Sequence, residues 1–196
     1  MPSEMDEAVL ASNAKMAQIV QVSPESIRPV RDGIVRVYAA AFGEPPYNEG
    51  EAEAEHAMQS LVSHSRRGGF RLFVAKDESG HVIGFSYGYQ GRPGQWWHDF
   101  VSRLLSAEAR AQWLGNCFQF VELAVLPSFQ GQGIGGRLHD ALLAGVPYHT
   151  AVLSTYSGQN RAMGLYQKRG WKKLVDDLTF PGSAIPMVVL GLALEK

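Results

Sequence analysis

Cysteine is nearly missing from this chain: Cys117 stands alone among 196 residues. A lone thiol excludes an intrachain disulfide and any multi-cysteine metal site, and it suits a reducing, cytoplasmic setting. Charge of one sign is lacking as well, since 18 Lys and Arg against 19 Asp and Glu leave a net −1. General nucleic-acid binders carry a strong basic excess, so no nucleic-acid partner is expected. Long apolar runs are also missing. The longest, Ala184 to Leu194, is broken by Pro186 and Gly191 and falls far short of a bilayer span, so no membrane partner is expected. The first fifteen residues carry Glu4, Asp6 and Glu7, with no positive charge before Lys15. A secretory leader begins the opposite way, and residues 1–15 read as a flexible leader. The six histidines show no His-Glu-x-x-His spacing, and no metal is expected.

What is present is an ordinary globular composition, 45% hydrophobic and 19% charged, which fits a single domain over residues 16–196. A domain of this size buries roughly 70% of its unfolded surface and needs no staple. Met16 to Val22 reads as a strand. Starting a helix at Ser26 puts Pro29 in its first turn, where the missing N–H costs nothing. Ile27, Val30, Ile34, Val37, Tyr38 and Ala41 then form one apolar stripe, stopped at Gly43-Glu-Pro-Pro46. Asn48 is expected to cap a second helix to about Arg67. Its four glutamates at 49, 51, 53 and 55 are spread around the axis and read as a solvated helix start. Strands follow at Phe70–Lys76 and Val82–Tyr89, with Asp77-Glu-Ser-Gly80 as the hairpin turn.

Residues 91–117 are the least legible stretch, with helix expected over Asp99–Leu114. An apolar strand at Phe118–Leu126 looks buried on both faces. After it come a glycine-rich turn, a helix to about Ala144, and a strand at Ala151–Thr155. A helix from Asn160 to Arg169, then strands at Trp171–Val175 and Met187–Leu194, complete the chain. The alternation gives an α/β or mixed α+β fold with a largely covered sheet.

The chemistry is concentrated in Val121-Glu-Leu-Ala-Val-Leu-Pro-Ser-Phe-Gln-Gly-Gln-Gly-Ile-Gly-Gly-Arg137. Glycines at 131, 133, 135 and 136 let the backbone approach a ligand and adopt positive φ. The first turn of the following helix aims its N–H groups, and the positive end of its dipole, at the same place. That is a cradle for a phosphate or pyrophosphate. Gly131-x-Gly133-x-x-Gly136 spells the dinucleotide fingerprint, but no Asp or Glu lies between Asp140 and Asp176 to hold a ribose. A P-loop fails because Arg137-Leu138 stands where Lys-Ser/Thr is required.

A third reading fits without repair. Gln130-Gly-Gln-Gly133-Ile-Gly135 resembles the Arg/Gln-x-x-Gly-x-Gly/Ala pyrophosphate loop of the GCN5-related N-acetyltransferases. Leu123-Ala-Val-Leu-Pro127 is similar to that family's fourth strand. Asn160-Arg-Ala-Met-Gly-Leu-Tyr-Gln-Lys-Arg-Gly-Trp171 resembles its second motif. The likeness is sharp over Phe118–Trp171. It implies a mixed, mostly antiparallel central sheet of about seven strands, with strands 4 and 5 splayed and four to five helices around it. It also implies acetyl-CoA as acyl donor and an amine as acceptor.

Residue by residue, the resemblance places the pantetheine arm and thioester against the backbone of Leu123, Ala124 and Val125, with the Val125 N–H polarising the carbonyl. The backbone of Gln130, Gly131, Gln132, Gly133, Ile134, Gly135, Gly136 and Arg137 would hold the pyrophosphate. Tyr166 would be the general acid on the departing thiolate, and Asn160 a CoA contact as well as a helix cap. Glu122, a carboxylate among apolar residues, is either the general base or a buried acid paired with an arginine. The inserted segment 91–117 carries Trp96, Trp97, His98 and Trp113. Trp96 and Trp97 either wall the acceptor site or pack an extra helix onto the sheet. The expected acceptor is a small-molecule amine, and the expected protein partner is at most a second copy in a homodimer. The rivals are acetylation of a protein lysine or N-terminus, and a CoA-binding sensor without catalysis.

Overall fold

Pro24 and Pro29 shape the entry into the first helix. Each lacks the N–H that an α-helical interior would use, and the chain makes two short 3-10 turns, Pro24–Ser26 and Arg28–Val30. Only then does it settle into α1, Arg31–Phe42, so the expected helix at Ser26 begins five residues late as a regular element. The computed structural model describes residues 17–45, 47–158, 160–181 and 185–194. The expected leader, 1–15, lies outside these residues.

Among the described residues seven strands form one sheet, in the order β1-β2-β3-β4-β5-β7-β6. They are β1 (Gln18–Val22), β2 (Arg71–Lys76), β3 (Val82–Gly91), β4 (Cys117–Val125), β5 (Thr150–Tyr156), β6 (Lys172–Leu178) and β7 (Met187–Ala193). The described helices are α1, α2 (Glu51–His64), α3 (Trp96–Leu104), α4 (Ala107–Leu114), α5 (Ile134–Leu143) and α6 (Arg161–Lys168). The sheet is mostly antiparallel, with β4 and β5 parallel. The sixth helix arises because the expected helix over Asp99–Leu114 breaks. Leu105 is extended, and Ser106 opens α4 by accepting a bond from the Ala109 N–H at 3.1 Å, an ordinary N-cap.

Contacts divide the chain into two compact units, 1–87 with 122–144 and 88–121 with 145–196. In the first, α1 buries Ile34 and Val37 while α2 buries Ala54, Met58 and Leu61; each large side chain removed from water stabilises by roughly 1.5–3 kcal/mol. Helix α5 buries Ile134, Leu138 and Leu142 and is fixed at both ends. Arg137 donates to the Ala17 carbonyl at 2.6 Å, and Arg71 donates to the Ala144 carbonyl at 2.7 Å. A guanidinium on the last carbonyls also suits the negative end of the helix dipole. The second unit packs Trp113, Leu114, Val101 and Cys117 with Val152 and Val189. Burial pushes the Cys117 thiol up to about 12, so it is a small apolar filler and no nucleophile.

Candidate active site

Strand β4 is expected to be buried along its length. Instead its first four and last two residues are buried while Val121, Glu122 and Leu123 are mostly but not fully buried. Three consecutive residues with some exposure break strand alternation at one point. Pairing with β5 runs only from Cys117↔Thr150 to Gln119↔Val152, although β4 continues to Val125 and β5 to Tyr156.

In the first unit, β4 runs into the glycine loop. The Leu126 N–H bonds the Ile83 carbonyl at 2.9 Å, a single 3-10 turn follows over Pro127–Phe129, and the Gln130 side chain folds back onto the Val125 carbonyl at 2.9 Å. Gln132 likewise donates to the Ser128 carbonyl at 3.1 Å. Gly131 and Gly133 have φ of +79° and +83°, and a Cβ on either would meet nothing within 4 Å. Gly133 is the residue from which α5 starts. The Ile134, Gly135 and Gly136 N–H groups lie in that first turn, where no intrahelical acceptor exists. The loop thus turns long side chains inward and presents backbone beside open space. Such a cradle fits a CoA diphosphate, whose oxygens need donors and room.

Next to the same strand lies a cavity of about 220 Å³, counted to its open mouth, with Glu122 in its wall. Ile34 and Tyr38 come from α1, Met58 and Leu61 from α2, and Phe85 and Tyr87 from β3. Burial, with the Glu49 carboxylate as a second cause, pushes Glu122 up to about 8. Among the described residues no Lys, Arg or His counters its charge.

Glu49, Tyr38, His64 and Tyr87 escaped the sequence reading. Asn48 was expected to cap α2, but its φ is +52° and the helix starts at Glu51 after Gly50, whose N–H bonds Glu53 Oε2 at 2.8 Å. Glu49 therefore sits before the helix and not on its solvated face. Its Oε2 accepts the Tyr38 hydroxyl proton at 2.5 Å. Tyr38 is pushed up by burial first, then by the charges of Glu122 and Glu49. Tyr87 and His64 Nδ1 are 3.2 Å apart, and burial lowers His64 to about 4, so that ring is neutral near pH 7. The available signal was a tyrosine inside an otherwise aliphatic stripe, whose hydroxyl must find a partner when buried.

The second unit holds the remaining candidates. Tyr166 is buried on α6 and ringed by aromatics: Trp171 at 5.5 Å and Phe120 at 6.3 Å between centroids, both edge-on. Asn160 caps α6 by accepting the Met163 N–H at 2.9 Å, and its amide donates to the Gly158 carbonyl at 2.8 Å. Trp96 is 61% exposed and packs on Phe100 and Phe180. Trp97 packs against the second unit's core and donates its indole N–H to Ser154 Oγ at 3.0 Å. Among the described residues no helix is long and apolar enough to cross a membrane.

Loop, strand and second motif lie within the stretch that the comparison with known proteins matches. The chain belongs to the acetyltransferase (GNAT) domain family, whose model matches residues 68–173. A curated relative, a GCN5-like protein acetyltransferase of Mycobacterium tuberculosis, is 36% identical over 121 residues, which is 58% of this chain. The match spans 59% of that relative's own length. Among solved structures, a ribosomal-protein-alanine N-acetyltransferase from Brucella melitensis superposes with a TM-score of 0.64 at 18% identity, covering 90% of this chain and 99% of that one. A phosphinothricin acetyltransferase from Sinorhizobium meliloti, solved with acetyl-CoA, gives 0.57 at 16% identity over 91% and 89%. At these identities the structures speak for the fold.

Proposed function

We propose that this chain transfers an acetyl group from acetyl-CoA directly to the nitrogen of an amine. The observation carrying the reading is the loop at Gly131 and Gly133, with two positive-φ glycines facing open space at the start of α5. Side chains at those positions would fill the space that a diphosphate needs. The backbone from Gln130 to Arg137 holds that diphosphate, and Leu123, Ala124 and Val125 line the arm. Acetyl-CoA supplies the acetyl group already activated as a thioester.

The chain's own residues manage two protons. Glu122 takes one from the incoming ammonium, which frees the nitrogen lone pair. As the N–C bond forms and the C–S bond breaks, Tyr166 gives its hydroxyl proton to the sulfur, and the second amine proton returns to Tyr166 through solvent. Asn160, which caps α6, adds a contact to the arm. The exposed face of Trp96, with Trp97 beside it in sequence, contributes to the acceptor side.

The acceptor is a small-molecule amine on the first reading. A protein amine is the second, and the observation favouring it is that the mycobacterial relative is a protein acetyltransferase by name. Thiol release from acetyl-CoA, followed against a panel of small amines and lysine peptides, decides between them. Calorimetry with CoA alone tests the shared premise: no heat of binding removes the reading altogether.

A further inference from the structure

The sheet ends in β1 on one side and β6 on the other, and the two edges differ in charge. Strand β1 reads Gln-Ile-Val-Gln-Val and carries none. Strand β6 reads Lys-Lys-Leu-Val-Asp-Asp-Leu, with both lysines and both aspartates exposed. Among the described residues β6 pairs only with β7, so its outer edge has no strand beside it. Its register against β7 shifts between Lys173 and Val175 and again between Val175 and Leu178. Leu174 is therefore the extra residue of one bulge, and one of the two aspartates is that of the other. The bulges set Lys173 one rung before Val175 and the aspartates at the rung after it. Lys173 and Asp176 meet in an ion pair at 2.8 Å, so both point to one face, while Leu174 and Val175 pack against the second unit's core.

An exposed strand edge is a template for another chain, and charge on that edge is a common guard against it. A guard of one sign repels every second copy. Here the sign changes at Val175, so repulsion depends on direction. A copy laid alongside in the same direction sets lysine against lysine and aspartate against aspartate. A copy turned end for end about a twofold axis through Val175 sets the two lysines of each chain against the two aspartates of the other. We infer that the free edge of β6 is a docking surface for a second copy of this chain, joined antiparallel about Val175. Lys173 then lies between two carboxylates, its own Asp176 and that of the second copy. The twofold uses up both β6 edges, and the uncharged β1 edge offers no such match, so the assembly stops at two chains. Exposed ion pairs contribute little each and one bulged strand pair is a small interface, which makes the dimer weak, transient and sensitive to salt. The inference stands apart from the acetyl-transfer reading.

Sedimentation equilibrium of the full chain, from low micromolar to near millimolar concentration, reads the dimer directly. The average mass should climb toward that of two chains at low salt, and the dissociation constant should weaken at least tenfold at about 0.5 M salt. An all-acidic edge is made by Lys172→Glu with Lys173→Glu. An edge without negative charge is made by Asp176→Lys with Asp177→Asn, the asparagine tolerating the φ of +51° at that position. Each double variant alone should lose at least tenfold in self-association. Mixed in equal amounts, they should form a dimer at least tenfold tighter than either makes alone, which a misfolded chain could not do. Lys173→Gln and Asp176→Asn, too mild to disturb folding, should each weaken the wild-type dimer about threefold or more. A wild-type chain that stays single over the whole range overturns the inference. So does a dimer that both double variants retain, since another surface then holds it, or a mixture without recovery when both variants melt as wild type does.

Discussion

The glycine loop and the Glu122 cavity lie in the same compact unit and are built in opposite ways. The loop exposes backbone: Gly131 and Gly133 bend it, and its long side chains are turned back onto Val125, Ser128 and Ala17. The cavity is walled by side chains drawn from α1, α2, β3 and β4. Backbone recognition leaves a mark in a short run of sequence, because only glycine tolerates the required geometry. Side-chain recognition leaves none, because its parts are brought together by the fold.

The comparison breaks most sharply at Gly133. A β-branched residue at φ +83° is strained, and its side chain would occupy the open space over the first turn of α5. Gly133→Val is expected to weaken CoA binding by about a hundredfold, of the order of 2.7 kcal/mol, read by calorimetry. Met58→Ala, in the cavity wall, should leave that heat unchanged. Equal losses in the two variants would mean that loop and cavity are not separate devices.

A smaller effect is expected from Tyr166→Phe, which keeps the ring between Phe120 and Trp171 and removes only the hydroxyl. A positioned acid typically supplies ~100- to 10,000-fold, and kcat should fall at least tenfold with acetyl-CoA affinity nearly unchanged. Full activity would strip Tyr166 of the role and leave it as packing.

The same contrast explains what could be read in advance. The succession of elements along the chain and the α5 and α6 motifs followed from local patterns such as Asn160 before α6 and the apolar run at Phe118, while the β4–β5 pair followed from the family resemblance. The break at Leu105 and Ser106 was hidden, since nothing in Asp99–Leu114 lacks helix propensity strongly enough to announce it. Glu49 was misread because its neighbours Glu51, Glu53 and Glu55 form a periodic set, and the cap sits at Gly50 rather than Asn48. Two residues of displacement move Glu49 off the helix and into hydrogen-bond reach of the Tyr38 hydroxyl. Burial of a carboxyl is a property of the whole assembly, so no window around Glu122 could set its acidity.

The smallest effect concerns that acidity. With Glu122 raised to about 8 by burial and by Glu49, the base is largely protonated at neutral pH. Using an alkylamine that stays ionised throughout, kcat/KM should climb roughly eightfold between pH 7 and 8.5 as Glu122 loses its proton, and Glu122→Gln should flatten the rise. Stability should move the other way. The unfolded carboxyl ionises near 4.5 and the folded one near 8, so between these values the folded state holds more proton than the unfolded state. Stability from this group is therefore full below pH 4.5 and declines up to about 8. Glu122→Gln lacks that decline, and its melting temperature should gain on wild type steadily from pH 5 to 8. A gap that stays constant over the window would show Glu122 ionised and well solvated in the native chain, a side chain with no reason to wait for an ammonium.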